Sequence, residues 1–89
     1  MAKKVAVVVR DRQHEALRMA VGLTLEDAAV SVYIMDNKLS IDENMDLSIE
    51  TLRVMRGRIY SNNPENMFDL MTTEQIALAV LDADAVIAY

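Results

Sequence analysis

Residues 4–9 read Lys-Val-Ala-Val-Val-Val, an apolar run that no polar residue interrupts after Lys4. A strand with one face in water alternates apolar and polar residues, whereas a strand covered on both faces does not. Strands covered on both faces belong mainly to parallel sheets, because the helical crossovers between parallel strands lie on the two faces. The run therefore predicts a β-strand within an α/β fold.

The middle of the chain alternates helix patterns with short apolar strands. Apolar residues at the helical period predict a helix over about 12–27, for which Asp11 is the expected N-cap. Residues 30–35 predict the second strand. The helical period resumes over 47–55, while residues 40–46 fit either a Ser-x-x-Glu capping box or a loop. Gly57 is the expected left-handed residue after this helix.

The last third of the chain repeats the alternation. Residues 58–61 predict a third strand, and an Asn-Pro pair at 63–64 predicts a helical turn over 64–70. A Thr-x-x-Gln capping box that begins at residue 72 opens a helix to about residue 81. Residues 85–89 predict the final strand.

The order of these elements is β-α-β-α-β-α-β. Strands that alternate with helices form parallel sheets with right-handed crossovers. We therefore expect an α/β fold, a three-layer α/β/α sandwich with a small parallel sheet of about four strands. No linker composition or internal repeat divides the 89 residues, so we expect a single domain over 1–89.

Missing residue types exclude several kinds of chemistry. The chain has no Cys and one His, which removes disulfides, thiolate nucleophiles and most zinc sites. It has two Gly, at 22 and 57, so a glycine-rich phosphate loop is absent. Asp42, Glu43 and Asp46 lack the spacing of a calcium loop. We expect no metal and no cofactor, and we lean against an enzyme.

The net charge of −5 lies mostly in residues 61–89, which hold five acidic and no basic residues. A nucleic-acid surface needs a Lys/Arg footprint and aromatic platforms, and this chain has three Tyr and one Phe. The longest apolar run, residues 76–81, is far shorter than the about 20 residues of a membrane span. The amino-terminal valine run is too short for a signal peptide. We expect a cytoplasmic protein that binds neither nucleic acid nor membrane.

The chain resembles the DsrE/DsrF family of small sulfur-relay proteins over nearly its whole length. The resemblance rests on the valine-rich first strand, the Val-x-Val-Tyr of the second strand, Gly57-Arg-Ile-Tyr-Ser61 and, above all, the ending Leu81-Asp-Ala-Asp-Ala-Val-Ile-Ala-Tyr89. The resemblance implies a three-layer α/β/α subunit that assembles into symmetric oligomers.

The chain departs from the family at the turn before the second strand, where Asp27-Ala28-Ala29 lacks the usual glycine, and decisively at the position of the reactive Cys. Sulfur-carrying members have a reactive Cys near the end of the third strand, where this chain has Ser61 or Asn62. Neither side chain can hold a persulfide, because that chemistry requires a thiolate. We expect a non-catalytic DsrE-like protein that acts as an oligomeric binding or scaffold subunit. We expect that any link of this protein to sulfur metabolism does not involve a persulfide on the protein itself.

Ligands of parallel α/β sheets bind beyond the carboxyl ends of the strands. The segments that follow the first and third predicted strands open predicted helices, whose unpaired N–H groups attract anions. An enzyme could use His14 as an acid/base with Asp11 or Asp36. The alternative functions are therefore a small-anion or nucleotide binder, or such an enzyme. The candidate ligand-binding residues are Arg10, Arg12, His14, Ser61, Asn62 and Asn63.

The predicted last helix has almost no polar face, and a helix of this kind is normally buried. Leu78 and Leu81 lie on this helix, and Met19 and Leu23 lie outside the main apolar seam of the first helix. Open apolar surface of this kind favours self-association, so we expect a homo-oligomer: a dimer, a trimer or a hexamer. The alternative is that the turn at 64–70 covers the last helix within one subunit.

Overall fold

The computed structural model describes residues 3–26 and 28–89. Within these residues the chain forms five strands and three helices. The predicted α/β class is confirmed, with one strand more than the order above contains. In chain order the elements are β1 (Lys4–Val9), α1 (Gln13–Leu25), β2 (Ala29–Ile34), α2 (Glu43–Val54), β3 (Arg58–Ser61), β4 (Asp69–Leu70), α3 (Thr73–Leu81) and β5 (Ala85–Ala88).

The strands form one sheet in the order β4-β3-β2-β1-β5, and each pair is parallel. β1 lies between β2 and β5, where Val7 is in register with Val32 on one side and with Ile87 on the other. A valine-rich strand in this position is hydrogen-bonded on both edges and covered on both faces, as its sequence predicts. β5 and β4 are the two edges of the sheet.

Alternate residues of the central strands face opposite sides of the sheet. On one side, Val7 lies in a buried cluster with Leu17 of α1 and Leu52 of α2. On the other side, Tyr33 lies in a second cluster with Ile76 of α3. The period of two along each strand thus divides the core between two helical layers. The result is the predicted three-layer arrangement.

The amino-terminal ends of the helices follow the predictions in part. The Thr72–Gln75 capping box of α3 is present, with the Gln75 N–H donating to Thr72 Oγ1 over 3.1 Å and the Thr72 N–H donating to Gln75 Oε1 over 2.9 Å. The expected cap of α1 is wrong, because Arg12 holds the N-cap position and makes no capping hydrogen bond. The predicted last residue of that helix, Asp27, lies outside the described residues.

Helix α2 resolves the two interpretations of residues 40–46. Its N-cap is Asp42, whose Oδ1 accepts from the Met45 N–H over 2.8 Å. The helix therefore starts within this stretch, but the Ser40–Glu43 capping box does not form. The Asp42 carboxylate satisfies an N–H group of the first helical turn, so this helix does not need a serine cap.

The predicted helical turn at 64–70 is wrong. Asn63 Oδ1 accepts from the Glu65 N–H over 2.9 Å, and the Asn63 carbonyl accepts from the Asn66 N–H over 3.1 Å, which closes a turn instead. Phe68 then packs against the core, and β4 pairs with the end of β3. Side-chain and backbone bonds of Asn63 compete with the helix that the Asn-Pro pair predicts.

Gly57 does not have the expected left-handed conformation. Arg56 has it instead, with a φ of 64°. Gly57 is needed for a different reason, because its N–H donates to the Leu52 carbonyl over 2.7 Å. A Cβ at position 57 would lie 3.0 Å from that carbonyl oxygen and 3.2 Å from Leu52 Cδ2. The glycine permits a close approach between β3 and the end of α2.

Alanine substitution at the two glycines is expected to change the free energy of unfolding in opposite directions. Gly57→Ala introduces the contacts above and should lower it by about 1–3 kcal/mol. Gly22→Ala adds a Cβ with no atom within 4 Å, in an exposed part of α1. It should raise the free energy of unfolding by about 0.5–1 kcal/mol. Urea denaturation measures both, and an equal or higher stability of Gly57→Ala would contradict the close approach.

Candidate functional site

The carboxyl ends of β2, β3 and β4 lie side by side at one end of the sheet, where half of the candidate ligand residues are predicted to lie. Ser61 ends β3 and is fully buried. Its hydroxyl donates to the Ile34 carbonyl over 2.8 Å and accepts from the Asn63 N–H over 3.1 Å and from Asn66 Nδ2 over 2.9 Å. The hydroxyl therefore binds three groups of the chain itself, and no side of it faces solvent.

Asn66, which is not among the predicted site residues, connects the segments at this end of the sheet. It is buried, and its Oδ1 accepts from the Leu39 N–H over 2.7 Å. Its Nδ2 donates to the Asn37 carbonyl over 3.1 Å as well as to Ser61. One amide thus connects the segment after β2 to the end of β3. The sequence gives no local signal for this role, because the partners Asn37 and Leu39 lie 29 and 27 residues away.

Asn62 and Asn63 form hydrogen bonds with Asp36, directly after β2 and Met35. Asn62 Oδ1 accepts from the Asp36 N–H over 2.6 Å, while its Nδ2 donates to Asp36 Oδ1 and to Thr73 Oγ1, each over 3.0 Å. Asn63 Nδ2 donates to the Asp36 carbonyl over 3.1 Å. Asp36 has a φ of 66°, a conformation that costs energy for a residue other than glycine. The two amides stabilise that turn.

The basic candidates lie beyond the ends of β1 and β5. Arg10 is exposed, and its N–H donates to the Tyr89 carbonyl over 2.9 Å. The Arg12 guanidinium lies 5.6 Å from the centroid of the Tyr89 ring and 3.7 Å from a Glu15 carboxylate oxygen. Arg12 is therefore held between an aromatic ring and a carboxylate.

His14 is not paired with the expected Asp11 or Asp36. Its Nε2 lies 3.3 Å from Asp42 Oδ2, at the N-cap of α2. Both side chains are more than half exposed, so this contact connects the starts of two helices at the surface. The six candidate ligand residues therefore do not form one site. Ser61, Asn62 and Asn63 belong with Asn66 to a hydrogen-bond network, called the amide network below.

A groove lies on the opposite side of the molecule from α1 and α2, between α3 and strands β2 and β3. It has a volume of about 480 Å³, and its lining includes Tyr33, Tyr60, Arg58 and Asp82. The two tyrosine rings stack with centroids 5.4 Å apart. A hydrogen bond to Tyr60 raises the pKa of Arg58 above its ordinary value. The groove is the uncovered part of this face of the sheet.

The outer side of α3 is open. Leu78 and Leu81 are 69% and 81% exposed, so the turn at 64–70 does not cover them. On the first helix, Met19 is exposed, but Leu23 packs against the core. Because α1 and α3 lie on opposite faces of the sheet, Met19 cannot form one continuous patch with Leu78 and Leu81.

Residues 3–26 and 28–89 contain neither a membrane-spanning helix nor a metal-binding group of side chains. No helix there is both long and apolar enough to span a membrane. No three His, Cys, Asp or Glu side chains in those ranges are grouped closely enough to hold a metal ion.

Comparison of the chain with protein-family models, with curated proteins and with solved structures gives no match.

The amide network is expected to contribute strongly to stability. Asn66→Ala removes three hydrogen bonds and leaves the buried Leu39 N–H without its acceptor, so the free energy of unfolding should fall by about 2–3 kcal/mol. Asn44→Ala, at an exposed position of α2, is the matched control and should change it by less than about 0.5 kcal/mol. Urea denaturation provides the measurement. Equal stability of the two variants would contradict this role for Asn66.

Proposed function

We propose that the protein is a non-catalytic, DsrE-like subunit that functions by assembling with copies of itself into a scaffold. The observation that carries this proposal is the exposed outer side of α3. Leu78 and Leu81 are three residues apart, so they lie on the same side of the helix and form one apolar strip. Apolar side chains that lie together on an exposed helix surface favour contact with a partner.

The strip is large enough to stabilise an interface. Full burial of a leucine side chain contributes roughly 1.5–3 kcal/mol. Two copies related by a two-fold axis bury the strip of each, so the contribution is counted twice. The acidic residues near the strip, Glu74 and Asp82, lie at the two ends of α3 and leave its middle apolar.

The carboxyl edge of the sheet supports a role without catalysis. The side chains that a ligand or a nucleophilic reaction would use there, Ser61, Asn62 and Asn63, bind the chain itself. Together with the absence of Cys, this arrangement favours binding over sulfur transfer. The family resemblance extends the proposal to a role linked to sulfur metabolism in which the subunit does not itself carry persulfide.

The alternative is a small-anion binder, favoured by the start of α1. No side chain caps this helix, and Arg10 and Arg12 precede it. Unpaired N–H groups at a helix start attract anions. Inorganic phosphate should then raise the melting temperature of the wild-type protein and have less effect on Arg10→Ala. An equal shift in both proteins, or none in either, would contradict this alternative.

Leu78→Glu and Leu81→Glu are expected to dissociate the assembly, because each places a charge in the proposed interface. Leu47→Glu on α2 is the matched control, since Leu47 is 63% exposed on the other face of the sheet. It should leave the assembly intact. Light scattering at micromolar concentration measures the masses, and urea denaturation verifies that all three variants fold. Equal masses for the three variants would contradict an interface at α3.

A further inference from the structure

We infer that β5 pairs antiparallel with β5 of a second copy, which joins two sheets into one. This inference rests on the proposed self-assembly and specifies where the two copies meet. β5 is an edge of the sheet, and within the described residues no other strand lies beyond it. Exposed strand edges can recruit other strands, and charges, prolines and bulges are among the features that prevent it. Ala85–Ala88 reads Ala-Val-Ile-Ala and has neither charge nor proline.

The hydrogen bonds of the sheet identify which groups are available on this edge. The Tyr89 N–H donates to the Val8 carbonyl over 2.8 Å, and the Tyr89 carbonyl accepts from the Arg10 N–H over 2.9 Å, so position 89 faces β1. Backbone groups of successive residues point alternately to the two sides of a strand. Val86 and Ala88 therefore direct their N–H and carbonyl groups away from β1, toward the open edge.

A two-fold axis at Ile87 brings these groups into register. Val86 then lies opposite Ala88 of the second copy, and Ala88 lies opposite Val86 of the second copy. Each pair exchanges two hydrogen bonds, which gives about four bonds across the joint. Val86 is 48% exposed, so pairing also removes apolar surface from water.

The same axis places α3 of both copies on one face of the joined sheet, on either side of the joint. The joined sheet therefore presents both α3 helices, with their exposed Leu78 and Leu81, on one surface.

The symmetry of a dimer sets the orientation of the two strands. Two copies of one strand that are related by a two-fold axis perpendicular to the sheet run in opposite directions, so the pairing is antiparallel.

Ala88→Pro tests the pairing directly, because it removes the outward N–H and leaves the bonds to β1 in place. Edge strands tolerate proline at such positions. Ala88→Thr, which retains the N–H, is the matched control. We expect Ala88→Pro to weaken dimerisation by about tenfold or more and Ala88→Thr to leave it nearly unchanged. Light scattering over a dilution series gives the dissociation constants.

The outcomes separate this inference from the proposed function. Assembly that survives Ala88→Pro but not Leu78→Glu would overturn the edge pairing and retain the α3 interface. A wild-type monomer would overturn both. If Ala88→Pro does not fold, amide hydrogen exchange of the wild type decides. The Val86 and Ala88 amides should become protected as concentration rises, while Ile87 is protected throughout, and protection that does not change with concentration would overturn the pairing.

Discussion

The two faces of the sheet receive unequal cover, and the surface properties of the molecule follow from that inequality. Within the described residues, α1 and α2 pack on one face, while the nine-residue helix α3 alone packs on the other. A single short helix cannot cover five strands, so the groove at Tyr33 and Tyr60 remains open beside it. The outer side of the same helix has no neighbour in the subunit. The proposed assembly supplies that neighbour from another copy.

The carboxyl ends of the strands, where α/β proteins bind ligands, differ from the exposed side of α3 because they are closed by internal contacts. Their polar groups are paired internally, and Asn66 connects segments that are far apart in the chain. A buried amide with all its groups paired makes the local structure unique, because any other arrangement leaves a buried donor unsatisfied. As a consequence, few polar side chains at the carboxyl ends of β2, β3 and β4 remain available to bind a ligand. The proposed function accordingly uses the outer surfaces of the subunit.

Much of the fold could be predicted because it depends on local periodicity. The continuous valine run of β1 and the Thr72–Gln75 capping box each act over a few residues. The errors occur where distant contacts override a local pattern. The Asn63-Pro64 pair is typical of a helix start, but hydrogen bonds of Asn63 and Asn66 turn the segment into a loop and β4. The candidate site was harder to predict for the same reason, since the role of Asn66 depends on partners brought close only by the fold.

The central claim is that other copies of the chain cover the exposed side of α3 and the open edge of β5. Sedimentation velocity of the unmodified protein across a micromolar concentration range tests it most directly. The account predicts a defined species with a mass that is a small multiple of the 10.0 kDa chain, populated more strongly as concentration rises. A single 10.0 kDa species at every concentration would contradict it.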